Sequence, residues 1–149
     1  MALYSATEGG RIWEPMTTAP SARAAIETML RASAEDFTRP GKPRGCLVVL
    51  GAIHADDGNE AVHRELRERR VENIELLGRR LERGVAEGEL PAGTNCRAIA
   101  TFYATLHLGM SMQARDGASR KTLLAVADSG MAAWDGLVSS RSDGPRDAG

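Results

Sequence analysis

The chain has 149 residues, 42% of them hydrophobic, and sets 19 Lys and Arg against 20 Asp and Glu. That length fits one domain with a real core, and the near-neutral charge excludes a global electrostatic pull toward nucleic acid or a membrane surface. Aromatic residues make up only 4%, so the core must rest on Leu, Ile, Val, Met and Ala, which suits packed helices better than sheets.

The chain starts with a segment, residues 3–13, that reads as a frayed helix end. It is weakened by Gly9 and Gly10 and stopped by Pro15, with Trp13 packing back on the body. Ser21 is the N-cap of the next helix, whose apolar stripe is Ala22, Ile26, Met29, Leu30 and Phe37. Glu27 with Arg31, and Arg31 with Glu35, are spaced for i,i+4 pairs on its outer face. The helix stops near Thr38, before a loop with two prolines. Residues 46–55 form an apolar run. A buried strand is possible there, but no second strand offers it a partner, so a short buried helix is the better reading.

Residues 59–87 predict the longest helix, with Val62, Leu66, Ile74, Leu77, Leu81 and Val85 as its apolar residues. The run Arg64 to Arg70 mixes Arg with Glu and reads as a solvated face rather than a DNA-binding stripe. Arg70 and Asn73 project near the apolar stripe, either snorkelling at its margin or aimed into a cavity. Gly88 and Pro91 break the chain, and Thr94 or Asn95 caps the following helix. Ser119 caps a final helix to about Leu137, and the polar, Gly- and Pro-containing tail 139–149 reads as disordered.

The helix over 98–114 carries no formal charge, although 26% of the chain is charged. Ile99, Phe102, Tyr103, Leu106, Met110 and Gln113 share one bulky face, and the other sides are mostly small. Such a helix must be covered on more than one side. At about 17 residues, with Thr, Ser, His and Gln inside it, it is too short and polar to span a membrane. With no basic region and apolar run at the N-terminus, a cytoplasmic protein without a signal peptide is expected.

Three stretches together resemble the C-terminal regulatory domain of TetR-family transcriptional regulators. They are Gly45-Cys46-Leu47, the turn Glu87-Gly88-Glu89-Leu90-Pro91, and Gly109-Met110-Ser111-Met112-Gln113-Ala114-Arg115-Asp116-Gly117-Ala118. The similarity runs over roughly residues 11–137. It implies an all-α domain of about five helices, the last two packing against a partner's pair as a dimeric four-helix bundle. It divides the chain into a remnant of the connecting helix and linker (1–20), a ligand-binding and dimerisation domain (21–138) and the tail.

The resemblance also implies an inner cavity for a small, largely apolar effector. Its expected contacts are Met29, Leu50, His54, Arg70, Asn73, Leu77, Phe102, Tyr103, Leu106 and Met110. The expected dimer interface is Thr105, Leu108, Gly109, Met112, Leu123, Ala127, Gly130 and Trp134. The family's N-terminal helix-turn-helix head has no counterpart here, and only residues 2–8 resemble part of the helix that would follow it. DNA binding is therefore expected only with such a head.

Other readings find little support. His54 and His107 each sit in an apolar run, as effector contacts or as core histidines bonded to a carbonyl. With Cys46 they lack metal-ligand spacing, so no metal or other cofactor is expected. Cys46 and Cys96 read as small apolar core residues. No phosphate loop, nucleophile elbow or HExxH is present, so the chain is not read as an enzyme. A helical dimerisation domain with a filled core and no effector is the alternative, because helical periodicity does not separate a cavity from a core.

Overall fold

The computed structural model describes residues 10–46 and 60–139, and every regular element among them is helical. In chain order these are α1 (Gly10–Trp13), α2 (Pro15–Thr18), α3 (Ala22–Phe37), α4 (Glu60–Ala86), α5 (Cys96–Arg115), α6 (Arg120–Ala132) and α7 (Trp134–Ser139). The apolar run from Leu47 onward, with Leu50 and His54, lies outside the described residues, as do residues 1–9 and the tail from 140.

Side-chain caps set three helix starts. Ser21 Oγ accepts from the Ala24 N–H at 3.1 Å, Asn95 Oδ1 from Ala98 at 3.1 Å, and Ser119 Oγ from Thr122 at 3.1 Å. Each satisfies one of the donors a helix leaves unpaired in its first turn. The long helices α4 and α5 end alike. Gly88 (φ +80°) follows α4 and Gly117 (φ +100°) follows α5, and both adopt the left-handed conformation that a Schellman ending requires. The N–H groups of Glu89 and Ala118 then reach back to the carbonyls of Gly84 and Gln113.

α1 ends at Trp13, just before Pro15, as the sequence suggested, but Pro15 does not leave a loop there. It opens α2 at the first position, where its missing N–H would have had no partner anyway. The final helix is also not continuous, because a single turn residue, Ala133, separates α6 from α7.

α3 is the central element and packs against α4, α5 and α6. Its predicted stripe, Ala22, Ile26, Met29, Leu30 and Phe37, is buried, and so are Ala25, Ser33 and Ala34. Opposite it lie Leu77 and Leu81 from α4, Ile99, Tyr103 and Met110 from α5, and Leu123 from α6. The 27-residue α4 is buried at only five positions, four of them within its last ten residues.

The three stretches that carry the family resemblance sit where elements join. The Arg44 guanidinium donates to the Ala118 carbonyl at 3.0 Å, and the Cys46 N–H donates to Ser111 Oγ at 2.6 Å. The loop after α3 thus docks on the end of α5, and a cation covers terminal carbonyls there. The turn Glu87–Pro91 holds an ion pair that is buried at its arginine end. Arg80, its side chain 1% exposed, donates to Glu89 Oε1 at 3.2 Å, while Glu89 Oε2 accepts the Ala22 N–H at 2.7 Å. Glu89 therefore ties the end of α4 to the start of α3. The Ala22 hydrogen bond, reinforced by Arg80, holds its carboxyl below the usual carboxylate range.

Candidate dimer face and regulatory core

Two unlike surfaces run along α5. Its inner side, Ile99, Ala100, Tyr103, Ala104, His107, Met110, Ser111 and Ala114, is buried within the chain. Its outer side presents Phe102, Thr105, Gly109 and Gln113 to solvent, with Leu106 half-buried at the margin.

His107 is the centre of the inner side. It is 4% exposed and packs between Trp13 of α1 and Phe37 of α3, each ring centroid 5.2 Å away. Its Nδ1 lies 3.0 Å from Ser33 Oγ, and the Ser33 hydroxyl donates to the Met29 carbonyl at 2.7 Å. A hydroxyl has one proton to give, so Nδ1 is the donor in the His107–Ser33 bond. Burial lowers the imidazole pKa to about 4, which keeps the ring neutral in this apolar setting.

Tyr103 anchors the other end of the inner side. Its hydroxyl donates to the Gly130 carbonyl at 3.0 Å, its ring lies 6.1 Å from that of Trp134, and burial pushes its pKa up to about 12. Gly130 is a close crossing of α6 over α5. A Cβ there would fall 2.3 Å from Leu106 Cδ2, so any larger residue must displace the Leu106 side chain.

The outer side is an apolar ridge flanked by two hollows. One, of about 440 Å³, is lined by Phe102, Leu106, Thr122, Ala125, Val126, Ser129 and Gly130. The other, of about 330 Å³, is lined by Phe102, Thr105, Leu106, Gly109, Met110, Gln113 and Val126. No lining residue of either hollow is charged. Phe102 stands between them, 38% exposed, its ring edge-on to Tyr103 at 5.0 Å.

The residues expected around a cavity therefore separate. Met29, Leu77, Tyr103 and Met110 come together in the buried core. Arg70 and Asn73 lie half-buried on α4, on the same helical face as Ile74 and Leu77. Phe102 and Leu106 were expected to face inward, but α5 is turned so that they border the outer hollows. The residues expected at the partner interface separate as well. Thr105 and Gly109 are exposed, Leu108 and Met112 half-buried. Leu123 and Ala127 are buried on the side of α6 that packs on α3 and α5, Trp134 is buried at the start of α7, and Gly130, also buried, borders the larger hollow. The outward side of α6 is instead Thr122, Ala125, Val126 and Ser129.

Sequence reasoning missed Ser33 and Arg80. Both occupy stripe positions, Ser33 between Leu30 and Phe37, and Arg80 between Leu77 and Leu81. A polar residue in the stripe was the available signal in each case.

The chain is thus an all-helical domain with a sealed inner side and an open apolar outer side on α5. The tetracyclin repressor-like C-terminal domain family matches residues 22–128, and the chain belongs to that family. It is 27% identical over 118 residues to the HTH-type transcriptional repressor ComR of Escherichia coli (strain K12). That match covers 79% of the chain and 56% of ComR. Among solved structures, it resembles the TetR-family transcriptional regulator CifR, a cysteine mutant complexed with 26-bp double-strand operator DNA. The TM-score is 0.85 and the identity 41%, over 89% of this chain and 70% of that one. A TetR transcriptional regulator from Rhodococcus sp. RHA1 matches with a TM-score of 0.69 and 33% identity, over 82% of this chain and 64% of that one. Among the described residues no helix is long and apolar enough to cross a membrane.

Proposed function

We propose that this chain is the effector-binding and dimerisation module of a TetR-like transcriptional regulator, and that it works as a homodimer. The observation that carries the reading is the outer face of α5 and α6. It holds two adjoining apolar hollows without one charged lining residue, in a chain that is 26% charged. A continuous apolar surface of this kind marks an interaction site. Gly109 lies open within it, with nothing within 4 Å of a Cβ, which leaves room for the backbone of a partner helix.

Effector binding is the finer part of the proposal. Arg70 and Asn73 give the inward face of α4 two polar groups beside Ile74 and Leu77. A small, largely apolar molecule with a polar end would be recognised there by packing and one or two hydrogen bonds. Joined to a DNA-binding head, the module would act as a switch by holding effector with different affinity in two conformations. CifR is solved with operator DNA, and operator binding by a regulator containing this module is proposed on that likeness.

Two measurements test the reading. Wild-type protein should scatter light as a dimer, and Gly109→Glu as a folded monomer, since two carboxylates cannot be buried unpaired in one interface. A Gly109→Glu protein that remains a full-size dimer would remove α5 from the interface. For the effector, a thermal-shift screen of apolar and aromatic compounds should give at least one that raises the melting point. A ligand at 100 times its Kd adds about 2.7 kcal/mol of stability. If all compounds and a cell extract leave the melting point unmoved, the chain is a dimerisation domain with a filled core.

A further inference from the structure

The outer face does more than accept a partner; it carries an anchor that is already in position. Phe102 is one of two large hydrophobic side chains left exposed among the described residues, the other being Val71 on α4. Its ring is not loose. It rests edge-on against Tyr103 at 5.0 Å, and Tyr103 is held by its hydrogen bond to the Gly130 carbonyl and by Trp134 behind it. An exposed aromatic ring braced by a buried one has lost much of its conformational freedom before any partner arrives, and so costs little to order on binding. Residues of that kind, central and aromatic, supply most of the affinity in protein interfaces.

The surroundings say what receives it. The larger hollow beside Phe102 is lined by the small residues Thr122, Ala125, Ser129 and Gly130 together with Leu106 and Val126, and at about 440 Å³ it leaves space for a ring. The smaller hollow contains the longer Met110 and Gln113. Knob and hole therefore lie side by side on one face. In a two-fold dimer each surface patch meets its own copy, so a knob and a hole on the same face are filled together. Moreover, Phe102 itself walls the larger hollow. A residue that walls the very hole its counterpart enters must lie next to that counterpart, close to the two-fold axis.

We propose that Phe102 is the anchor and specificity residue of the homodimer, each ring entering the partner's hollow over Ala125 and Ser129, with the two Phe102 rings meeting at the two-fold axis. This rests on the reading of the α5–α6 face as the dimer interface, and it adds which residue holds the copies together and where the axis passes. The same geometry explains a constraint on Gly130. A side chain there would displace Leu106, which itself lines the hollow.

The test uses the full chain in a Cys46→Ser, Cys96→Ser background, with helicity checked by circular dichroism. Phe102→Cys should be joined to its partner by a short bis-maleimide, giving a covalent dimer on a denaturing gel. Thr101→Cys, exposed one residue earlier on the same helix, should be joined far less. In sedimentation, Phe102→Ala should raise the dimer Kd at least about 30-fold, as truncating an interface hot spot does. Ala125→Trp, which fills the hole while leaving the knob, should raise it by a similar factor. Should Gly109→Glu break the dimer while Phe102→Ala and Ala125→Trp leave its Kd within about threefold, the face is right and the anchor is wrong. A dimer that survives Gly109→Glu overturns the interface itself. Equal cross-linking at 101 and 102 would place the axis elsewhere.

Discussion

The inner and outer sides of α5 are made from similar residues and end in opposite states. Inside, Tyr103, His107 and Met110 are closed off by α3, α4 and α6, and each polar atom the packing needs is matched: the Tyr103 hydroxyl with Gly130, the His107 Nδ1–H with Ser33. Outside, Phe102, Thr105, Gly109 and Gln113 are left exposed among the described residues. The lesson is that apolarity alone does not tell a core from an interface. What separates them is whether the same chain supplies the opposing surface.

The sharpest way to break this contrast is a charge placed on each side. Gly130→Glu puts a carboxylate at the close crossing of α6 over α5, between Leu106 and Leu30, where the Leu106 side chain must be displaced. The expected outcome is loss of the fold by circular dichroism, whereas Gly109→Glu keeps its helicity and changes only its mass. A folded Gly130→Glu monomer would mean that the crossing is looser than drawn.

Next in size is His107→Ala, which empties the space between Trp13 and Phe37 and leaves Ser33 without its donor. Losses of this type cost about 3 kcal/mol, measurable by urea unfolding, with no change in dimer mass at concentrations where the protein is folded. The pH dependence follows from the same burial. The ring's folded pKa is about 4 against an ordinary 6.5. Above pH 6.5 both folded and unfolded rings are neutral and nothing is lost. As the pH falls from 6.5 toward 4 the unfolded chain takes up a proton that the folded one refuses, so stability declines by roughly 3 kcal/mol over that window. In an NMR titration the His107 ring should still be neutral at pH 5; a midpoint near 6.5 would show the ring to be solvated.

Smaller again is Tyr103→Phe, which keeps the ring behind Phe102 and removes only the bond to the Gly130 carbonyl. A loss of about 1 kcal/mol is expected, together with a weaker dimer if that bond braces Phe102. Smallest is Arg31→Ala. Arg31 pairs with Glu27 at 3.3 Å and reaches Asp128 of α6 at 2.6 Å, but its side chain is 45% and that of Asp128 59% exposed. Water and salt leave such a pair worth less than about 1 kcal/mol, and a melting point within 2–3 degrees of wild type is the expected result.

Several features were readable without coordinates because they depend on neighbours in sequence. The caps at Ser21 and Ser119, a cap at Thr94 or Asn95, the stripe of α3 and the extent of α4 and α5 all follow from spacing over four residues or fewer. The orientation of α5 was not readable. Its helix has apolar residues almost all round, so several rotations about its axis bury nearly the same area, and periodicity grouped Phe102 and Leu106 with Tyr103 and Met110, whereas in the structure they border the outer hollows. The same ambiguity bears on Leu123, Ala127 and Trp134, expected at a partner and found buried within the single chain. For Arg31, spacing offered Glu27 and Glu35; the guanidinium pairs with Glu27 and reaches Asp128, 97 residues away.

By itself, then, the sequence determined an all-helical chain, where its main helices begin and end, and the family it belongs to, because local hydrogen bonding and turn geometry are set within a few residues. Only the tertiary structure decided which side of α5 is sealed and which is left open. That choice depends on what α3 and α6 can reach, and no residue on α5 carries it alone.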